Sequence, residues 1–433
     1  VWILVDLFLR ERVPSDALVL GSTLVLKRDV PSKGGAIKAR ICAQDFAISK
    51  RDDVFSPTPA QVAVRVALLV ALVWQVMVTL GDYSSAFLHA FMDKDVYMYP
   101  PKCMRLRAKK FLWRLKRALY GVRRSPRLFY QHHRHVMELL GCLCLASEPT
   151  MFLHTVWLIL VVVYVDDVLC VADAAKTDWF FTEVNKHMKL KRGSAIGSDF
   201  VRFVGVEYRR TEAGYQLRLP PAYFAELCKE FGMEKARPVA TPIVAEAGQQ
   251  SQEEKERWND ELSAESTFLF RHAVGKLRFA VDFRPDLLYC TWKASTFLSH
   301  PTVEAWAILK RILRYLAGTA SFVLQLQLAS GDGPIVVQAF SDTDFAGDRS
   351  SRRSVSCGLL SIRGFVVQAY TKQQSIIATS SCEAEYYGIG SVTVAGLGLM
   401  AVLSDLGFAD AKLEVLCDSS SARNLAHRTG YGR

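Results

Sequence analysis

Long apolar runs alternate with short polar interruptions along this chain, and their spacing predicts most of its elements. Residues 20–46 (LGSTLVLKRDVPSKGGAIKARICAQDF) read as two strands around a Pro/Gly turn. Residues 59–80 read as a long apolar helix, and a short strand then leads to Asp82. Residues 111–141 mix Arg and Lys with aromatic residues and read as a basic helix after Pro126. Residues 157–172 read as a strand, a tight turn at Asp166 and Asp167, and a second strand. Residues 200–219 alternate around a glycine turn, a hairpin signal, and a helix follows at about 221–232. Residues 245–266 are polar and charged and make the best linker candidate. Residues 303–316 place Trp306, Ile308, Leu309, Ile312, Leu313 and Leu316 on one face of a helix, with Lys310, Arg311 and Arg314 mainly on the other. From 334 the pattern changes to a strand, a pair of strands over 354–370, a helix over 383–405, the strand LEVLC and a helix start. That alternation predicts a separate α/β domain.

Two runs mimic membrane spans, 62–80 and 156–172, but the first contains Arg65 and the second carries Asp166 and Asp167 at its centre. Charges at a bilayer midplane are costly, so a buried helix and a buried hairpin are expected, with no membrane partner. The N-terminus is apolar but has neither a basic start nor a small-residue cleavage site. Half of the 433 residues are hydrophobic and 11% aromatic, which suffices for several cores and excludes a disordered chain. The net charge of +11 fits a polyanionic partner through phosphate neutralisation. A basic protein with no such partner explains the charge almost as well. Ten scattered cysteines contain no CxxC pair, so reduced, mostly buried thiols in an intracellular protein are expected. His132, His133 and His135 have no cysteine nearby and read as the polar face of a helix.

Candidate chemistry begins at Tyr164-Val165-Asp166-Asp167. Two adjacent carboxylates inside an apolar hairpin would cost several kcal/mol (roughly) if buried without a counter-charge. A divalent cation removes that cost, and Mg²⁺ favours one or two carboxylates plus substrate phosphates. Asp82 ends another apolar run; a fold that pairs these strands would let all three acids hold two ions about 3.5–4 Å apart. Taken alone, the four residues could equally be a surface turn. Asp342, Glu385 and Asp418 lie at element edges of the C-terminal α/β pattern and suggest a second metal cage, although Asp344 and Glu383 are acidic neighbours. Glu383 reads as a cap at the start of its helix.

Several ordered blocks carry a family resemblance: KARICAQDF, VFSPT, GDYSSAFLHAFMDKDVYMYPP, FLWRLKRALYGVRRSPRLFYQ, VVYVDDVLCVA, FVGVEYRR and HAVGKLRFAVDFRPDLLY. Collinear over nearly the whole chain, they resemble the reverse transcriptases of copia-type long-terminal-repeat retrotransposons. AFSDTDFAGDRSSRRSVSCG, SIIATSSCEAEYYG and VLCDSSSARNLA resemble the RNase H domain of the same elements. The resemblance implies an α+β right-hand polymerase with fingers, palm and thumb or connection, followed by an α/β RNase H-like domain. The expected bounds are 1–240 for fingers, palm and the start of the thumb, 241–330 for linker and helical thumb or connection, and 331–433 for the RNase H-like domain. It implies RNA-directed DNA synthesis with Mg²⁺, or Mn²⁺ in its place. Expected partners are RNA template, DNA primer, RNA–DNA hybrid, deoxynucleoside triphosphates and other parts of a polyprotein. The setting would be cytoplasmic, in virus-like particles, or nuclear.

By position, Asp82, Asp166 and Asp167 match the polymerase metal ligands, and Asp342, Glu385 and Asp418 match those of the RNase H site. Phe87 matches the bulky residue that screens the sugar 2′ position. Tyr120, Gly121, Ser125 and Pro126, with Tyr164, match residues that seat nucleotide and template. Lys38 and Arg40 match a fingers pair that meets the triphosphate. Arg123, Arg124, Arg127 and Arg134 are candidate phosphate contacts, and Phe203 and Gly205 match the region that positions the primer strand. There are departures: Ser419 replaces Asn, Gly81 replaces an apolar residue, the fingers segment is short, and the chain stops before a final acidic ligand and closing helix. Weak or absent RNase H activity is therefore expected, and a decayed nucleic-acid-binding remnant is the rival reading.

Overall fold

The computed structural model describes residues 4–28, 37–46, 54–107, 111–244, 257–331, 333–348 and 350–428. The Pro/Gly turn expected within 20–46 and the larger part of the 245–266 stretch lie outside the described residues. By contact the chain divides into two units, Val1–Ala63 with Val76–Ser194, and Val64–Gln75 with Ala195–Arg433.

In chain order the elements begin with β1 (Val5–Leu9), β2 (Leu18–Arg28), β3 (Ile37–Gln44), α1 (Gln61–Val73), β4 (Met77–Tyr83), β5 (Val96–Met98) and β6 (Phe111–Leu115). There follow α2 (Ser125–Leu139), β7 (Leu143–Cys144), β8 (Met151–His154), β9 (Ile159–Tyr164), β10 (Asp167–Ala172), α3 (Ala174–Asn185) and β11 (Leu190–Ala195). The strands of the first unit make two sheets, ordered β1-β6-β5-β2-β3 and β11-β4-β10-β9-β8-β7. In the second sheet β9 and β10 are central, and nearly every residue of both is buried. Both faces are therefore covered, which is why these strands read as unbroken apolar runs rather than alternating ones. Val161, Val163, Val168 and Cys170 pack into one core with Phe129, Val136 and Met137 of α2 and Phe180, Phe181 and Val184 of α3. Pro126 sits in the first turn of α2, where a missing N–H costs nothing. Asp173 caps α3 by accepting from the Lys176 N–H at 2.9 Å.

His133 is fully buried rather than on a polar face, ringed by Tyr83, Phe129 and Phe152. Phe129 and Met137 flank it at four-residue spacing, which places it on the core face of the helix. His135 is exposed and His132 half-buried.

The second unit contains β12 (Val201–Phe203), β13 (Val206–Thr211), β14 (Gly214–Arg218), α4 (Pro221–Glu230), α5 (Ala264–Ala280), α6 (Leu288–Thr296), α7 (Val303–Thr319) and β15 (Leu324–Gln327). It ends with β16 (Val336–Asp344), β17 (Val355–Ile362), β18 (Phe365–Gln373), α8 (Ser381–Asp405), β19 (Lys412–Cys417) and α9 (Ser420–Ala426). The expected hairpin is β13–β14, and β12 and β15 extend it to a sheet of order β12-β13-β14-β15. The last sheet runs β18-β17-β16-β19, with β16 and β19 parallel and α8 packed on β16, β17 and β19. Among the described residues α8 is also the one helix long and apolar enough to cross a membrane. Arg65, the charge inside the apolar α1, is 3% exposed and donates to the carbonyls of Val367 and Asp282. Those bonds supply what a lone charge in that helix would lack.

Candidate functional site

The first site is built by two strand pairings. Tyr164 and Asp167 face each other at the end of the β9–β10 ladder, leaving Val165 and Asp166 as a two-residue turn. Val165 adopts φ 54°, a left-handed conformation costly for a β-branched residue. Such strain persists only where the surroundings enforce it. On the other side of β10, Asp167 lies opposite Asp82 of β4. The Tyr83 N–H donates to the Asp166 carbonyl at 2.6 Å, which ties the turn to the same strand. Asp82, Asp166 and Asp167 are thus brought to one end of the sheet. Gly81 beside them has a packing reason: a Cβ there would lie 2.9 Å from the Phe181 ring and 3.1 Å from Leu190 Cδ1.

Electrostatics follow from that crowding. Burial, then the charges of Asp82 and Asp166, push the Asp167 carboxyl up to about 6. Burial also raises Asp166; a hydrogen bond from Tyr120 opposes this and the charge of Asp82 adds to it. Among the described residues none of the three makes an ion pair. An all-oxygen set of mutually repelling carboxylates suits a hard divalent cation.

Around the acids stand the other expected residues. The Tyr120 hydroxyl donates to Asp166 Oδ2 at 3.2 Å, and burial followed by Asp166 pushes its phenol up to about 12. Its ring centroid is 4.6 Å from that of Phe87 and 5.9 Å from the Arg40 guanidinium. Gly121 does permit a close backbone approach, and the neighbour is β3: a Cβ would lie 2.0 Å from the Ala43 carbonyl oxygen. Ser125 is fully buried and exchanges hydrogen bonds with the backbone of Leu119. The Pro126 carbonyl accepts from the Ser56 hydroxyl at 3.3 Å. Lys38 and Arg40 lie exposed on β3. Of the candidate phosphate contacts, Arg123 pairs with Asp45, Arg124 is buried against Asp93, and Arg134 pairs with Glu138. Arg127 and Arg134, with Phe55, Tyr130 and Gln131, line an open groove of about 870 Å³.

The second site sits on the last sheet. Asp342 is near the end of β16, and its neighbour Ser341 pairs with Cys417 at the end of β19, so Asp418 emerges beside it. Glu385 comes from the first turns of α8 and is 7% exposed. Gly388, three residues on, lets the helix close onto the strand, since a Cβ there would lie 2.6 Å from Ser341 Oγ and Thr343 Oγ1. Burial first, then Asp342 and Asp418, raise the Glu385 carboxyl above its usual range. Glu383 caps the helix as expected, its carboxylate accepting from the Thr379 N–H at 2.7 Å and its N–H donating to Ser380 Oγ. Asp342 and Asp418 open onto a cavity of about 700 Å³ shared with Tyr289, Phe340, Tyr370 and Leu416.

Two neighbours escaped the sequence reading. Among the described residues, the tightest potential ligand group is Glu385, Cys417 and Asp418, with ligand atoms within 4.8 Å of one another; the Asp82 trio is more open. Cys417 donates to Glu385 Oε2 at 3.7 Å, and its only sequence signal is its position before Asp418. The bond from Tyr120 to Asp166 had no signal at all, because it joins a loop to a distant turn. Phe203 and Gly205 belong to the second unit, where Val204 (φ 46°) and Gly205 (φ 83°) form the tight β12–β13 turn.

The family profile described as reverse transcriptase (RNA-dependent DNA polymerase) matches residues 1–245. The retrovirus-related Pol polyprotein from transposon TNT 1-94 of Nicotiana tabacum is 29% identical over 417 residues, covering 94% of this chain and 31% of that protein. The polyprotein from transposon RE1 of Arabidopsis thaliana is 27% identical over 422 residues, covering 95% of this chain and 28% of that protein. The chain thus spans under a third of the length of these relatives. A foamy viral protease-reverse transcriptase, solved in complex with double-stranded DNA, shares the fold with a TM-score of 0.50 at 11% identity, over 98% of this chain and 62% of that one. With more than half of its length inside the profile and collinear relatives along the remainder, the chain belongs to the reverse transcriptase (RNA-dependent DNA polymerase) family, in the branch of copia-type retrotransposon Pol polyproteins.

Proposed function

We propose that the first unit catalyses RNA-directed DNA synthesis at Asp82, Asp166 and Asp167, and that the sheet bearing Asp342, Glu385 and Asp418 serves RNA–DNA hybrids as an RNase H-like site. The observation that carries the polymerase reading is the Asp82–Asp167 pairing across β4 and β10, with Asp166 in the adjoining turn. It unites acids from distant parts of the chain, and their mutual repulsion leaves them needing cations. When bound, two Mg²⁺ ions, or Mn²⁺, would neutralise the transferring phosphate and make a primer 3′-hydroxyl a better nucleophile. Asp82, Asp166 and Asp167 would hold them. Phe87 would close off the space beside the sugar 2′ carbon and so admit deoxyribose. Lys38 and Arg40 would meet the triphosphate as it arrives. Arg127 and Arg134 would follow template or primer phosphates along their groove without reading sequence.

In this reading β1–β3 and the segment before α2 act as fingers, the sheet of β9 and β10 as palm, and α4–α7 as thumb or connection. The partners are an RNA template, a DNA primer and deoxynucleoside triphosphates, with other segments of a Pol polyprotein. The test is extension of a DNA primer on an RNA template by the 433-residue chain with Mg²⁺. Extension that is lost in Asp166→Asn, with hybrid binding retained, supports the proposal. Extension that persists in the variant overturns the site. A chain that binds hybrid but never extends it is the non-catalytic remnant.

A further inference from the structure

Tyr120 touches both halves of the first site at once. Its hydroxyl reaches Asp166 Oδ2 at 3.2 Å and Oδ1 at 3.5 Å, and its ring packs on Phe87 with centroids 4.6 Å apart. Arg40 covers the ring at 5.9 Å. The backbone beneath is held to β3: the Ala43 N–H donates to the Tyr120 carbonyl at 2.8 Å, and the Asp45 N–H donates to the Gly121 carbonyl at 3.2 Å. Gly121 is what allows that contact, because a Cβ would overlap the Ala43 carbonyl. Two further bonds, between Ser125 Oγ and the Leu119 backbone, fix the preceding residue. The phenol therefore stands on a rigid base, with neighbours of different chemistry at its tip and on its face.

We infer that Tyr120 is a positioning residue that sets the orientation of the Asp166 carboxylate through its hydroxyl and the seat of the Phe87 ring through its face. One side chain then couples cation binding to sugar selection. This rests on the polymerase reading above. A hydrogen bond from outside the ligand set restricts a carboxylate to the rotamer a cation needs, and losing such a bond typically costs about 10- to 100-fold in metal affinity. Phe87 lies in a short turn whose leading residue, Ser85, has φ 57°, so its ring depends on what packs against it. Besides Tyr120, the ring next to it is Phe129 at 6.2 Å. Removing the Tyr120 ring would open space into which Phe87 can tilt, and a ribose hydroxyl would then fit.

Two variants separate the two ends. Tyr120→Phe keeps the ring and removes the donor; Tyr120→Leu removes both, and circular dichroism checks that each folds. Mn²⁺ binding is read by electron paramagnetic resonance in an Asp418→Asn background, which removes an acid of the second site. Incorporation of ribo- against deoxyribonucleoside triphosphates is read by primer extension. We expect Tyr120→Phe to weaken Mn²⁺ binding about tenfold while keeping sugar discrimination. Tyr120→Leu should weaken Mn²⁺ binding equally and lower discrimination at least about tenfold, the scale of one lost packing contact beside the sugar. Unchanged Mn²⁺ affinity in Tyr120→Phe overturns the inference, as does wild-type discrimination in Tyr120→Leu. Failure of the unaltered chain to extend any primer overturns the polymerase reading instead, and the Mn²⁺ titration still decides the role of the hydroxyl.

Discussion

The two acidic sites use the same residue types but are assembled at different ranges. In the first unit, Asp166 and Asp167 are joined by the chain itself, and Asp82 arrives by one strand pairing. Its non-acidic neighbour is a phenol that can only donate to the carboxylate. In the second unit, Asp342, Glu385 and Asp418 come from two strands and a helix, and the neighbour is the thiol of Cys417. Both sites raise a carboxyl by burial and like charge, Asp167 in one and Glu385 in the other. The first should therefore survive small changes in helix packing, whereas the second depends on how closely α8 approaches β16.

The largest expected effect tests whether the sites are independent. Asp82→Asn should lower primer extension by about 10²- to 10³-fold, since a lost group at a transition-state charge costs roughly 3–4 kcal/mol. Cleavage of RNA in a hybrid by the same variant should be unchanged. Glu385→Gln should do the reverse. A single substitution that silences both assays would mean that the two acid clusters serve one reaction. Chelation with EDTA should abolish both and added Mg²⁺ should restore both.

Next in size is the packing contrast. Gly388→Ala places a methyl 2.6 Å from two buried hydroxyls and should cost about 1–3 kcal/mol in stability, by overpacking. Cleavage should fall with it, because Glu385 sits one turn earlier on the helix. Gly81→Ala meets side-chain atoms of Phe181 and Leu190 at 2.9 and 3.1 Å and should cost less. Thermal melts and both assays on each variant check this. A loss of extension in Gly81→Ala as large as the loss of cleavage in Gly388→Ala would erase the claimed difference between the sites.

Much of this was legible beforehand, for identifiable reasons. Short apolar runs rich in β-branched residues, such as ILVVVY, favour buried strands, and an acid pair at the end of one is expensive enough to demand an explanation. Glu383 was legible as a cap because Ser-x-x-Glu is a local signal. What stayed hidden depends on contacts across the fold. Gly81 looked like decay until Phe181 was seen against it. Arg124 looked like a phosphate contact until Asp93 was seen beside it. Tyr120 and Cys417 acquire their partners through loops and strand ends that no periodicity encodes. His133 is an intermediate case: its spacing from Phe129 and Met137 announced burial, but its polarity argued for the surface.

His133 also builds a sensitivity to acid into the first unit. Burial, with a smaller effect of His132, pushes its imidazole down to about 3 from an ordinary 6.5. Among the described residues neither ring nitrogen has a hydrogen-bond partner. A base that protonates more readily unfolded than folded destabilises the fold as pH drops from the unfolded value toward the folded one. At pH 5.5 that amounts to about 1.4 kcal/mol, relative to neutral pH. The raised carboxyls, Asp167 in the first unit and Glu385 in the second, behave the other way: each is favoured protonated in the fold and gains from acidification above its ordinary titration range. Arg65, buried in the second unit, stays charged and bonded to carbonyls. His133→Phe should therefore leave stability at neutral pH nearly unchanged, because an apolar ring of similar shape replaces unbonded nitrogens among aromatic neighbours. Between pH 7.5 and 5.5 it should lose about 1.4 kcal/mol less than the unaltered chain. Urea unfolding followed by hydrogen exchange in each unit reads the difference, and an equal acid response in the first unit of both proteins would show that His133 finds a partner in solution.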